Sequence, residues 1–244
     1  MIVTGLAALL TVFALCLAAG RAPRTAVASL SLSLATWLVV SATIWQARLL
    51  EPRAVRLGAA THLTLLRGLL VSVAAGFAPV APVGAVRWLP ALLYAAAATG
   101  DRFDGIVARR LGQATPFGAR LDEAMDALGL LAAPLVAVAW KRLPPWYLLL
   151  GAAYYLFHAA LWLRRRLELP VHLERVIRRP STRIFAGLQM ILVSVALAPV
   201  LPLAVTTVAA TLLMVPTLLF FARDWFILIG WLEPPPRSTA AARS

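Results

Sequence analysis

The sequence predicts an all-α integral membrane protein, a six-helix unit preceded by two extra transmembrane helices, about eight spans in all. Two observations carry this expectation. Hydrophobic residues make up 61% of the 244-residue chain and charged residues 14%, against about 45–50% and about 25% in soluble domains. The apolar residues also gather into runs approaching the roughly 20 residues that cross a bilayer, and mean hydropathy is +0.84. A water-soluble enzyme, a disordered chain and a collagen are thereby excluded. The net charge of +13 would suggest nucleic acid in a soluble protein. Here the arginines sit in short loops between apolar runs, where topology and anionic headgroups account for them. Membrane lipids, and no nucleic acid, are the expected surroundings.

The runs occupy residues 2–19, 26–47, 63–80, 88–99, 121–140, 146–163, 184–199 and 203–222. The first lacks the positively charged start of a signal peptide. Cys16 follows Leu15 rather than a small residue, so a lipoprotein site is not expected either. Run 2–19 is therefore read as a retained span. Residues 1–60 form a two-helix N-terminal extension, 61–223 the six-helix unit and 224–244 a C-terminal tail. The tail is expected to be largely disordered from 233 on, where Pro234, Pro235 and Pro236 stand together. With one cysteine, no internal disulfide and no cysteine-based metal site is possible. His62, His158 and His172 do not cluster in the sequence and read as loop or packing residues. Trp88, Trp140, Trp146, Trp162 and Trp225 stand near run ends, as interfacial anchors do.

Alternate loops differ in charge. One set holds Arg48, Arg53, Arg56, Arg110, Arg164, Arg165, Arg166, Arg175, Arg178, Arg179 and Arg183; the other holds Arg21, Arg24, Arg87, Lys141 and Arg142. The richer set is expected at the cytoplasmic face, with both termini on that side.

The acidic residues are unevenly spread. Four of the five aspartates, Asp101, Asp104, Asp122 and Asp126, fall within 26 positions, together with Glu123. Carboxylates near a bilayer are costly and usually face a bundle interior or a watery cavity. Asp101 and Asp104 share one helix face, and Asp122 and Asp126 share another on the next helix. Side by side, these helices bring four carboxylates together, and their repulsion calls for a cation. All-oxygen ligation points to Mg²⁺ or Mn²⁺ rather than zinc, and paired ions suit displacement at phosphorus. Gly100, Gly105 and Gly118 bracket the acids, as close approach of a ligand or backbone requires. Ala108 keeps the same face small, and Arg109 is placed to meet a phosphate. Two other readings stand beside this one. In the first, Arg102, Arg109, Arg110 and Arg120 neutralise the acids in a structural salt-bridge network. In the second, the acids mark the ion path of a cation-coupled membrane transporter.

The stretch Asp101-x-x-Asp104-Gly105-x-x-Ala108-Arg109, eight residues, Gly118-x-x-x-Asp122-x-x-x-Asp126 resembles, without a gap, the signature of the CDP-alcohol phosphatidyltransferases. Leu63-Thr64-Leu65-Leu66-Arg67 resembles that family's Leu-Thr-x-x-Arg opening of its first helix. Pro180-Ser181-Thr182-Arg183 through Gln189 resembles its basic loop and fifth helix. The resemblance covers residues 61–223 and implies a membrane transferase of phospholipid biosynthesis. A phosphatidyl group would pass from a CDP-linked lipid, such as CDP-diacylglycerol, to a small alcohol, and CMP would leave. It implies that Asp101, Asp104, Asp122 and Asp126 hold Mg²⁺ or Mn²⁺, with Asp126 also the general base. It places Thr64, Asp101, Gly105, Ala108, Arg109, Gly118 and Asp122 at the CDP site, and it implies a homodimer. The site is expected at the cytoplasmic membrane face, where a lipid-tethered donor meets a water-soluble acceptor.

The sequence departs from the pattern at the acceptor side. Members that make phosphatidylglycerophosphate often carry Pro after the third Asp, Lys after the fourth and Asn before the first helix. Glu123, Ala127 and His62 stand at these places here. Arg175, Arg178, Arg179 and Arg183 form a basic loop with two readings: binding of a phosphorylated acceptor, or contact with lipid headgroups.

Overall fold

The structure, a computed structural model, describes residues 5–6, 9–10, 22–50, 59–110, 116–172 and 180–233. Those residues contain helices and turns and no strand. Seven long helices follow in order: α1 Pro23–Leu50, α2 Ala59–Ala75, α3 Leu89–Arg110, α4 Pro116–Ala139, α5 Leu148–Arg166, α6 Pro180–Leu197 and α7 Leu203–Leu228. Short 3₁₀ turns at Gly84–Trp88 and Pro145–Tyr147 lead into α3 and α5. Prolines set many of these limits. α1, α4 and α6 each begin on one, the position where a missing N–H costs nothing. Pro134 and Pro216 lie inside α4 and α7, which helices packed among other helices in lipid tolerate.

Several boundaries differ from the expected runs; α7, for one, continues to Leu228, so the first residues of the expected 224–244 tail are helical. α2 ends at Ala75, because Gly76 and Pro79 turn the chain where apolarity alone continues to 80. α3 continues past Thr99 to Arg110. Hydropathy falls at the first charges there, but no proline follows to break the hydrogen-bond ladder. Asp101 and Asp104 therefore stand within a helix, not at its end.

Pro23–Gln46, Pro145–Arg166 and Leu203–Leu228 are long and apolar enough to cross a membrane, while His62–Ala75 and Ile184–Leu197 are apolar but shorter. Run 2–19 and the tail from 234 on lie almost wholly outside the described residues.

α2 lies at the centre, packed on α1, α3 and α4, and α6 and α7 close the far side through α3, α4 and α5. The extension helix α1 is no separate body. Ser29 and Ser33 of α1 are buried, and a Cβ on Gly76 would lie 2.2 Å from Ser33 Oγ and 3.0 Å from the Ser29 carbonyl oxygen. Small residues thus let the two backbones approach, as in membrane helix pairs generally. Trp140, expected as an interfacial anchor, is buried instead, and its Nε1–H donates to the Phe77 carbonyl at 3.1 Å. Farther along, the fully buried Gln189 of α6 accepts from the Tyr147 hydroxyl and donates to Thr217 Oγ1 of α7 at 3.2 Å.

Candidate active site

An arginine in the middle of an apolar helix needs partners, because an isolated buried charge is among the costliest things a fold can hold. Arg67 of α2 is such a residue, 4% exposed. Its stem runs past Gly100 of α3, where a Cβ would come within 3.1 Å of Arg67 Cγ. Its Nε–H donates to the Ala97 carbonyl at 3.0 Å. The guanidinium then reaches three carboxylates on two helices. Nη1 lies 2.7 Å from Asp122 Oδ1, and Nη2 lies 2.6 Å from Asp126 Oδ1 and 3.1 Å from Asp101 Oδ1.

Helix periodicity supplies these acids. Asp122 and Asp126 are four apart on α4 and share its inward face, while Asp101 faces them from α3. One oxygen from each of the three lies within 4.8 Å of the others. Around an octahedral Mg²⁺ with bonds of roughly 2.1 Å, ligand oxygens would stand about 3.0 Å apart when adjacent and about 4.2 Å when opposite, so the three carboxylates would have to draw closer to share one ion. The charge fits as well: three carboxylates against one guanidinium leave two negative charges, the complement of a divalent cation. The donor set suits Mg²⁺ or Mn²⁺. The three side chains keep 25%, 40% and 29% exposure, so the group is reached from outside rather than sealed.

The structure thus brings together three of the four expected ligands. Asp104, Gly105, Ala108 and Arg109 lie on α3, with side chains outside the described residues. Gly118 sits half-buried in the first turn of α4, and Thr64 is buried on α2 one turn before Arg67. Arg175, Arg178 and Arg179 lie outside the described residues; Arg183 is in the first turn of α6, its side chain also outside them.

Sequence reasoning missed one ion-pairing cation, Arg67. The salt-bridge reading named Arg102, Arg109, Arg110 and Arg120, whereas Arg67 makes the described ion pairs. Arg120 is exposed, and the side chains of the other three lie outside the described residues. The signal was present: Leu65-Leu66-Arg67-Gly68-Leu69-Leu70 sets one charge in an apolar run.

An all-helical fold with an acidic cluster across two neighbouring helices fits a membrane phosphotransferase. Residues 57–232 match the CDP-alcohol phosphatidyltransferase family, and the chain belongs to that family. Over 70 residues it is 43% identical to the CDP-diacylglycerol–glycerol-3-phosphate 3-phosphatidyltransferase of Sodalis glossinidius (strain morsitans), a stretch covering 28% of this chain and 37% of that protein. The chain therefore spans little more than a third of the length of this relative. No solved structure matches it.

Proposed function

We propose that the chain moves a phosphatidyl group from CDP-diacylglycerol, or a similar CDP-linked lipid, to a small alcohol and releases CMP. The observation that carries this reading is the meeting of Asp101, Asp122 and Asp126 within 4.8 Å, at the positions of the family signature. Asp101, Asp122 and Asp126, with Asp104 by resemblance, would hold Mg²⁺ or Mn²⁺. When bound, that cation supplies neutralisation of charge on the phosphate oxygens. The acceptor oxygen attacks the lipid-bearing phosphorus in line and forms a new P–O bond. The bond from that phosphorus to the oxygen of CMP breaks, and CMP leaves with the electron pair. Asp126 takes the proton of the acceptor hydroxyl. Arg67 holds the carboxylates in register from beneath, and Gly105, Ala108, Arg109, Gly118 and Thr64 line the CDP site.

The acceptor we favour testing first is glycerol 3-phosphate. The name of the Sodalis relative supports it, as do the arginines of the 175–183 loop. Glu123, Ala127 and His62 speak for a different alcohol. The cation-coupled transporter is set aside by the family match. Eight spans, a site at the cytoplasmic face and a homodimer complete the proposal; the arginine-rich loops on the side of Asp101 support the orientation.

The test is direct. Purified protein given CDP-diacylglycerol, Mg²⁺ and a panel of alcohols should release CMP with one acceptor, and chelation should stop it. Asp126→Asn should lower kcat by at least about a thousandfold, the scale on which removing a catalytic base and a ligand together acts. Turnover by Asp126→Asn at the normal rate would remove the base assignment.

A further inference from the structure

Tyr94 lies on α3 seven residues before Asp101, so about 10 Å deeper along much the same face. It is 2% exposed, and its hydroxyl has no hydrogen-bond partner among the described residues. Buried hydroxyls are satisfied in the large majority of cases, and an exception calls for a physical reason. Crowding is not the reason, because α4 makes room for the ring. A Cβ on Gly129 would lie 3.3 Å from Tyr94 Cε2 and 3.8 Å from its oxygen.

Tyr94 lines a cavity of about 20 Å³, whose other polar walls are Arg67 and Asp126 and whose apolar walls include Val71, Met125 and Met190. A water needs about 10–15 Å³ by this measure, with two to four polar partners. A ligand pocket is far larger, at about 300 Å³ or more. The cavity thus has room for a water, and Tyr94, Asp126 and Arg67 offer that water three partners.

We infer that Tyr94 is a positioning residue: through one water in this cavity, its hydroxyl fixes the carboxylate of Asp126 from the membrane side. The inference rests on the reading of Asp126 as metal ligand and base. The group acts on the inward side of the aspartate, so substrate never touches it. Its loss is felt in how the carboxylate is held, not in how donor or acceptor binds. Groups that orient a metal-ligating residue typically contribute 10–100-fold to affinity or rate.

Tyr94→Phe keeps the ring and removes the oxygen alone. It is expected to lower kcat about tenfold while the KM values for donor and acceptor and the melting temperature stay as in the wild type. Mn²⁺ binding to substrate-free protein, followed by electron paramagnetic resonance, should weaken about tenfold as well. The same change made on Asp126→Asn should weaken Mn²⁺ binding no further, because coupled residues are not additive. Wild-type kcat and Mn²⁺ affinity in Tyr94→Phe would overturn the inference, and so would additive losses in the double variant. Failure of the function reading looks different: Asp126→Asn alone would then turn over, or bind Mn²⁺, like the wild type.

Discussion

Arg67→Met is the sharpest perturbation of the site. The substitution keeps an unbranched apolar stem against Gly100 and removes the cation that, among the described residues, meets Asp101, Asp122 and Asp126. Breaking a buried ion pair by deleting one partner costs about 3–5 kcal/mol. The three carboxylates keep a quarter or more of their exposure, so water screens part of their repulsion and the lower end, about 3 kcal/mol, applies. At about 2–4 °C per kcal/mol for a chain of this size, melting should fall by about 6–12 °C in chelator. The assay is tryptophan fluorescence on heating in detergent, with and without millimolar Mg²⁺. Mg²⁺ should recover a large part of the loss in Arg67→Met and raise the wild type less, since the variant's acids have no other counter-ion among the described contacts. Unchanged melting in chelator would refute the account of Arg67 as the internal counter-ion. A loss that Mg²⁺ leaves untouched would refute the shared metal site.

Two further outcomes test the packing that carries the site. Gly76→Ala puts a methyl 2.2 Å from Ser33 Oγ and 3.0 Å from the Ser29 carbonyl oxygen, so Ser33 must turn away and α1 give way; overpacking of this kind costs about 1–3 kcal/mol and should appear as a lower melting temperature with CMP release reduced in parallel. Gln189→Leu leaves the buried Tyr147 hydroxyl without its acceptor and Thr217 without its donor; a cost of about 1–3 kcal/mol is expected in the same melt, with KM for the donor unchanged.

Local spacing made much of this molecule legible. Asp122 and Asp126 stand four apart, and an α-helix places such residues on one face whatever its surroundings, so their convergence could be read before any fold was known. Asp101 required one added assumption, that consecutive helices pack as neighbours, and α3 and α4 do so. Arg67 could not be placed this way. It lies 55 and 59 residues from its partners on α4, and only the packing of α2 between α3 and α4 sets it there. The end of α3 was misjudged for a related reason: hydropathy measures transfer to lipid, whereas a helix persists wherever its backbone hydrogen bonds persist. Tyr94 was invisible because its significance depends on a glycine of another helix and on a space between them, neither of which has a linear pattern.

The fully buried Val40 of α1 has its two methyls 3.0 and 3.2 Å from where a Gly68 Cβ would stand, and Met125 closes in from α4 at 3.2 Å. Gly68 follows Arg67, and Met125 precedes Asp126. A helix upstream of the family match at 57–232 therefore acts as a backstop, setting how far the guanidinium and its neighbouring aspartate can recoil. Trimming the polypeptide to the matched segment would leave every signature residue in place and yet slacken the spacing among them, so on the function proposed above a shortened chain should lose rate before it loses affinity for its CDP-linked donor.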